Sequence, residues 1–164
     1  RQEPSVEGPS SDLWSRGDGG WGEDLSATDR VIKNTWEVLS PLNQITAETP
    51  LTSHEFLGSD RLLQRTRFGD VTITVAYQEP AKIGDHVIPA YGFLVESPRF
   101  IAFCATRYGG VDYPGPALFT ARSLDERPLG ESAKVRIYHG FGDRRIKLLG
   151  KEFEVGREEI VSMR

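Results

Sequence analysis

Two hydrophobic periods divide the chain. Val31, Ile32, Thr35, Trp36, Val38 and Leu39 recur every three or four positions, which places them on one face of a helix. Ser26 offers an N-cap oxygen just before this run, and Asp29 puts negative charge in the first turn, where the helix dipole favours it. Pro41 disfavours helical geometry at Ser40. The spacing predicts a helix over 27–39 that stops before the proline.

From Leu62 onward the period becomes two. In the run 70–77, Val71, Ile73, Val75 and Tyr77 face one way and Thr72 and Thr74 the other, the pattern of a half-buried strand. Phe68-Gly69-Asp70 reads as a tight turn from an earlier strand over 62–67. His86 opens a short strand, and further strands are predicted at 91–96, 99–107, 117–123, 134–139, 144–149 and 151–155. Turn chemistry separates them: Ser97-Pro98, Gly109-Gly110, Pro114-Gly115-Pro116, and the stretches 125–128 and 140–143. The predicted fold is mainly β, an antiparallel β-sandwich of about eight strands with one N-terminal α-helix. Residues 61–164 form the sandwich and 26–60 the helix and a linker. Residues 1–25, rich in Gly, Pro and Ser, form a flexible arm or the remnant of a preceding domain.

Charge narrows the class of partner. The net charge of −4 resides in residues 1–30, where three arginines face seven acids, and the rest of the chain balances. With no basic stripe to meet phosphates, nucleic acid is not an expected partner. No apolar run approaches 18 residues, so no helical membrane span is expected. The single Cys104 excludes an internal disulfide framework, and its apolar setting reads as a buried small hydrophobe. The chain opens on Arg1 with no signal-peptide pattern, so it reads as a piece of a longer polypeptide.

Catalytic chemistry is hard to find. His54 falls in the loop after the helix, and no two of His54, His86 and His139 have metal-ligand spacing, so no metal is expected. There is no G-x-S-x-G nucleophile elbow. Asp60, Asp70, Asp85, Asp125 and Asp143 all occupy turns, where Asp serves local hydrogen bonding. The glycine cluster 17–22 lacks the preceding strand that a dinucleotide loop requires, so no cofactor is expected. No catalytic residue is assigned. The run around Trp14, Arg16, Asp18 and Trp21 differs, because two tryptophans among charged residues are costly to leave in water. Either they pack on a neighbouring domain or they stack on sugar rings while Arg16 and Asp18 bind hydroxyls. Tyr91, Phe93, Tyr108 and Tyr113 are the candidates for a second aromatic platform.

The stretch Arg65-Thr-Arg-Phe-Gly-Asp-Val-Thr-Ile-Thr-Val-Ala-Tyr77, followed by Ile88-Pro-Ala-Tyr-Gly-Phe-Leu-Val95, resembles a pattern in large microbial glycoside hydrolases. It is similar to the C-terminal β-sandwich that follows their catalytic barrel, where a V-x-V-N-[YF] strand precedes an L-P-P-x-G-F strand. Ala76 stands where Asn is usual, and Ala90 where the second Pro is. The likeness covers residues 30–125, with 111–124 continuing the sandwich.

The resemblance implies a non-catalytic accessory domain of a bacterial glycoside hydrolase, with extracellular or periplasmic location favoured. Its partner would be an upstream catalytic domain of the same polypeptide, with carbohydrate as a further candidate. The family's catalytic carboxylates lie in the barrel, and no position here matches them. On this reading part of the helix surface, with Trp14 and Trp21, docks on the barrel. Two alternatives stand beside it. An independent carbohydrate-binding module needs an exposed, coplanar set of aromatics. A small stand-alone hydrolase needs a histidine and a carboxylate to converge.

Overall fold

Residues 13–164 are described by the structure, a computed structural model. A long helix, α1 (Ala27–Thr46), precedes twelve strands. They are β1 (Leu51–Phe56), β2 (Leu63–Phe68), β3 (Val71–Ala76), β4 (Ala81–Ile83), β5 (His86–Ile88), β6 (Phe93–Glu96), β7 (Phe100–Tyr108), β8 (Val111–Ser123), β9 (Val135–Phe141), β10 (Arg145–Leu148), β11 (Lys151–Glu154) and β12 (Glu158–Val161). Eight strands run β1-β2-β3-β6-β7-β8-β9-β12 in one antiparallel sheet; the β4–β5 hairpin joins it where Val87 of β5 meets Arg107 of β7. β10 and β11 form a separate hairpin. The fold is mainly β, antiparallel and sandwich-like, with one helix of consequence.

The central strands are buried on both faces. In β7, Phe100, Ala102 and Cys104 pack in one cluster with Val38 and Leu42 of α1. Ile101, Phe103 and Ala105 pack in the other with Ile146 and Leu148 of β10, Val155 and Met163. This explains why residues 100–105 are continuously apolar rather than alternating. Cys104 is buried, and burial pushes its thiol up to about 12, so it is an inert core residue. β3 departs from the half-buried expectation for the same reason. Val71, Ile73 and Val75 do share the helix-side cluster, but Thr74 on the opposite side is also buried.

Several elements correct the local reading. α1 runs through Pro41 to Thr46 instead of ending at 39. Proline in a helix interior costs about 3 kcal/mol. Here Pro41, Leu42 and the half-buried Ile45 continue the contact begun by Val38, and each large apolar side chain so buried returns about 1.5–3 kcal/mol. The 26–60 linker contains β1, so His54 lies on a strand, where its Nδ1 is 2.8 Å from Thr66 Oγ1. β1 and β12 are edge strands with little apolar alternation, and neither is visible in the sequence pattern.

Pro114-Gly115-Pro116, read as a turn, lies inside the 13-residue strand β8. Ala105 pairs with Ala117 and Arg107 with Asp112, so one β7 residue faces four on β8. The prolines, which cannot donate to a ladder, occupy this bulge.

Candidate functional site

The Gly-rich run is docked on the domain from Leu13 onward. Asp12 and the residues before it lie outside the described residues. Trp14 stacks on Phe93, with ring centroids 5.5 Å apart and planes 5° apart, and its carbonyl accepts a bond of 3.0 Å from Asn34 Nδ2. Arg30 donates to the carbonyls of Gly22 (2.7 Å) and Ser15 (3.1 Å), and Gly142 N–H donates to Asp18 O (2.6 Å). Gly20 makes the approach possible. Its φ is +60°, and a Cβ there would lie 2.5 Å from the His139 carbonyl oxygen.

The charged members of this run are engaged within the domain. Arg16 is paired bidentately with Asp18 at 2.9 and 2.7 Å, and its guanidinium lies 5.8 Å from the centroid of the Phe141 ring. Lys33 Nζ and the Arg157 guanidinium lie over Trp21, 4.6 and 5.4 Å from the ring centroid. Arg157 is itself ion-paired with Asp24. Cation–π contacts of this kind stabilise by about 0.5–2 kcal/mol and keep Trp21 among cations rather than in open water.

Of the tyrosines and phenylalanine proposed as a platform, only Tyr91 remains at the surface. Phe93, Tyr108 and Tyr113 are buried. Tyr108 and Tyr113 stack with Phe103 in the core face away from α1, and the Tyr113 hydroxyl has no hydrogen-bond partner among the described residues. They belong to the core because β7 and β8 are covered on both sides, which single-strand alternation does not reveal. Tyr91 precedes β6 with φ +62° and joins Trp14, Leu39, Ile73, Val75 and Tyr77 around an apolar groove of about 310 Å³ between α1 and β3/β6. Trp14 and Tyr91 thus meet at one site. Arg16, Asp18, Trp21 and Tyr113 do not line it.

The groove continues onto an exposed helix face. Ile32, Trp36 and Leu39 are 62%, 69% and 46% exposed, and Leu39 borders both the groove and this stripe. The helix face that packs on the sheet is instead Asn34, Glu37, Val38, Pro41 and Leu42. Two buried polar residues reverse the expected orientation, and both are satisfied by β9. Arg136 donates to both Glu37 oxygens (2.7 and 3.0 Å), and Tyr138 OH donates to Asn34 Oδ1 (2.8 Å). Burial alone would raise the Glu37 carboxyl, but Arg136, with Lys33 behind it, outweighs that and holds it below its usual range. Nothing in the local sequence marks Glu37 as buried, since its partner lies about a hundred residues away.

The three histidines do not converge. His86 Nδ1 accepts from Gly109 N–H (3.2 Å), and His139 Nδ1 lies 3.0 Å from the Gly156 carbonyl. His139 is stacked on Phe119 and buried, and burial lowers its pKa, so it is held neutral. Among the described residues no group of three His, Cys, Asp or Glu side chains is placed to hold a metal ion. The chain matches no family model, and no curated protein and no solved structure is significantly similar to it.

Proposed function

We propose that this chain is a non-catalytic accessory β-sandwich domain of a glycoside hydrolase, packing against a catalytic barrel of the same polypeptide. The observation that carries the docking part is the apolar stripe Ile32–Trp36–Leu39, continuous with the Trp14–Tyr91 groove. A soluble domain rarely leaves a large aromatic and two aliphatics side by side in water unless another surface covers them. The hydrolase assignment rests on the resemblance of residues 65–77 and 88–95 and on the groove aromatics. The chemistry belongs to the barrel, and this domain supplies its packing surface.

The test compares the 164-residue chain with the longer polypeptide that contains it by amide hydrogen exchange. Protection of α1 around residues 32–39 should rise in the longer protein, and Trp36→Asp should abolish that rise while leaving the isolated chain folded. Unchanged exchange, or a polypeptide without glycoside hydrolase activity, would sink the proposal. If instead soluble oligosaccharides quench Trp14 fluorescence in the isolated chain and Tyr91→Ala removes the effect, the groove is a carbohydrate-binding module in its own right.

A further inference from the structure

A cleft of about 540 Å³ opens on the face of the sheet away from α1, bordered by β3, β6 and the β10–β11 hairpin. Strand register sets its floor. Thr72, Glu96 and Ile101 stand directly opposite one another across β3, β6 and β7, so they share one face. Tyr108, at the end of β7, belongs to the same core cluster as Ile101 and is only 7% exposed. Its ring is clamped between Phe103 and His86, with centroids 3.9 and 4.6 Å away, and Gly109 N–H fixes the imidazole by donating to Nδ1. The Tyr108 hydroxyl has no hydrogen-bond partner among the described residues, yet unlike the equally unpartnered hydroxyl of Tyr113 it is not enclosed. The surface it keeps opens on the cleft that Tyr108 lines. Burial, with the charge of nearby Glu96, raises its pKa, so the hydroxyl stays protonated. A nearly buried hydroxyl with no partner inside the fold is the exception among polar groups, and this one is held rigid and within reach.

From this geometry we infer that the cleft binds a small organic cation, a primary ammonium carried on a short apolar body. The acceptors select the charge. Asp70 and Glu96 line the cleft beside Tyr108, and neither side chain has an ion pair or hydrogen bond among the described residues. Against Lys147, which lies 3.9 Å from Glu152, they leave the lining with one net negative charge. An ammonium carries three donors and no acceptor, which matches two carboxylates and the lone pairs of the Tyr108 oxygen. A metal ion is the poorer fit, since no three His, Cys, Asp or Glu side chains among the described residues are placed to hold one. The apolar surfaces select the body. Ile101 lies at the floor, and Leu149, at the tip of the β10–β11 hairpin, is 61% exposed at the rim. The volume is that of a small-molecule site. This inference stands apart from the helix-face docking, since neither Trp36 nor the Trp14–Tyr91 groove takes part.

The experiment is isothermal titration of the 164-residue chain at fixed ionic strength with n-butylammonium chloride, n-butanol and magnesium chloride. Butylammonium should bind about tenfold or more tightly than either of the others, the difference a charge-assisted hydrogen bond makes. The exposed Glu96→Gln should weaken it by about tenfold. Tyr108→Phe should weaken it severalfold and leave the melting temperature unchanged or higher, because the oxygen removed has no partner inside the fold. Equal binding of butanol would overturn the cation assignment, and tighter binding of magnesium would overturn the organic ligand class. Absence of butylammonium binding, or binding indifferent to both substitutions, would overturn the site. So would a clear fall in melting temperature in Tyr108→Phe, because the hydroxyl would then serve the fold itself.

Discussion

Glu37 and His139 both contribute to the acid behaviour of the fold, and they act in neighbouring pH windows. Glu37 is held by Arg136 on a packed face, so its folded pKa lies below the ordinary 4.5. A carboxyl depressed in this way adds stability that is complete above about pH 4.5 and is lost as pH falls through the folded value. His139 shares the sign from a different cause. Burial places its folded pKa below 6.5, so the unfolded chain takes up the proton first and stability declines as pH drops below that value.

Thermal unfolding from pH 8 to 3 should show both losses. Glu37→Gln should make the limb below pH 4.5 shallower, and His139→Gln should flatten the decline that begins below about 6.5. Identical profiles in wild type and variant would exclude the assignment for that residue. Arg136→Met should cost about 3–5 kcal/mol at neutral pH by stranding the buried Glu37 charge, as urea denaturation would report.

At the scale of elements, α1 has two faces of opposite fate. Leu42 lies in the helix-side core, so Leu42→Ala should cost about 2–5 kcal/mol in chemical denaturation. Trp36→Ala, on the exposed face, should change the stability of the isolated chain by less than about 0.5 kcal/mol. A large loss at Trp36 with little at Leu42 would mean that the helix is rotated from the orientation described. The helix start, its Ser26 cap and the strand–turn–strand register of β2–β3 are legible locally, because capping and period-two alternation are short-range. The continuation past Pro41 is not, because contacts to the sheet outweigh a local helix-breaking preference. β1 and β12 escape for a related reason, since an edge strand carries little of the core.

At the scale of the molecule, the N-terminal run is the least local feature. Composition marks it as a segment that cannot order itself, and the surface it lies on is the domain's own: Phe93, Phe141, Asn34, Arg30 and the end of β9. Removing residues 1–25 should strip Trp14 from Phe93 and cost about 2–4 kcal/mol of apolar contact. At about 2–4 °C per kcal/mol for a chain of this size, the melting temperature should fall by roughly 4–16 °C in calorimetry. A truncated chain that melts with the parent would mean that the run contributes nothing to the fold. Two aromatics of the groove were legible: Trp14 and Tyr91 stand out in polar or turn-rich sequence. The burial of Phe93, Tyr108 and Tyr113 was not, because it follows from a second layer on the sheet.

The sequence by itself determined that there is one helix of consequence, that the remainder is antiparallel β, and where most turns fall. Those features are encoded within a few residues of one another by period, capping and turn chemistry. The tertiary structure alone decided which helix face is buried and which aromatics reach the surface. The helix orientation depends on partners that the sheet brings from far along the chain: Arg136 for Glu37 and Tyr138 for Asn34. Their energetics exist only once β7, β8 and β9 lie side by side beneath the helix.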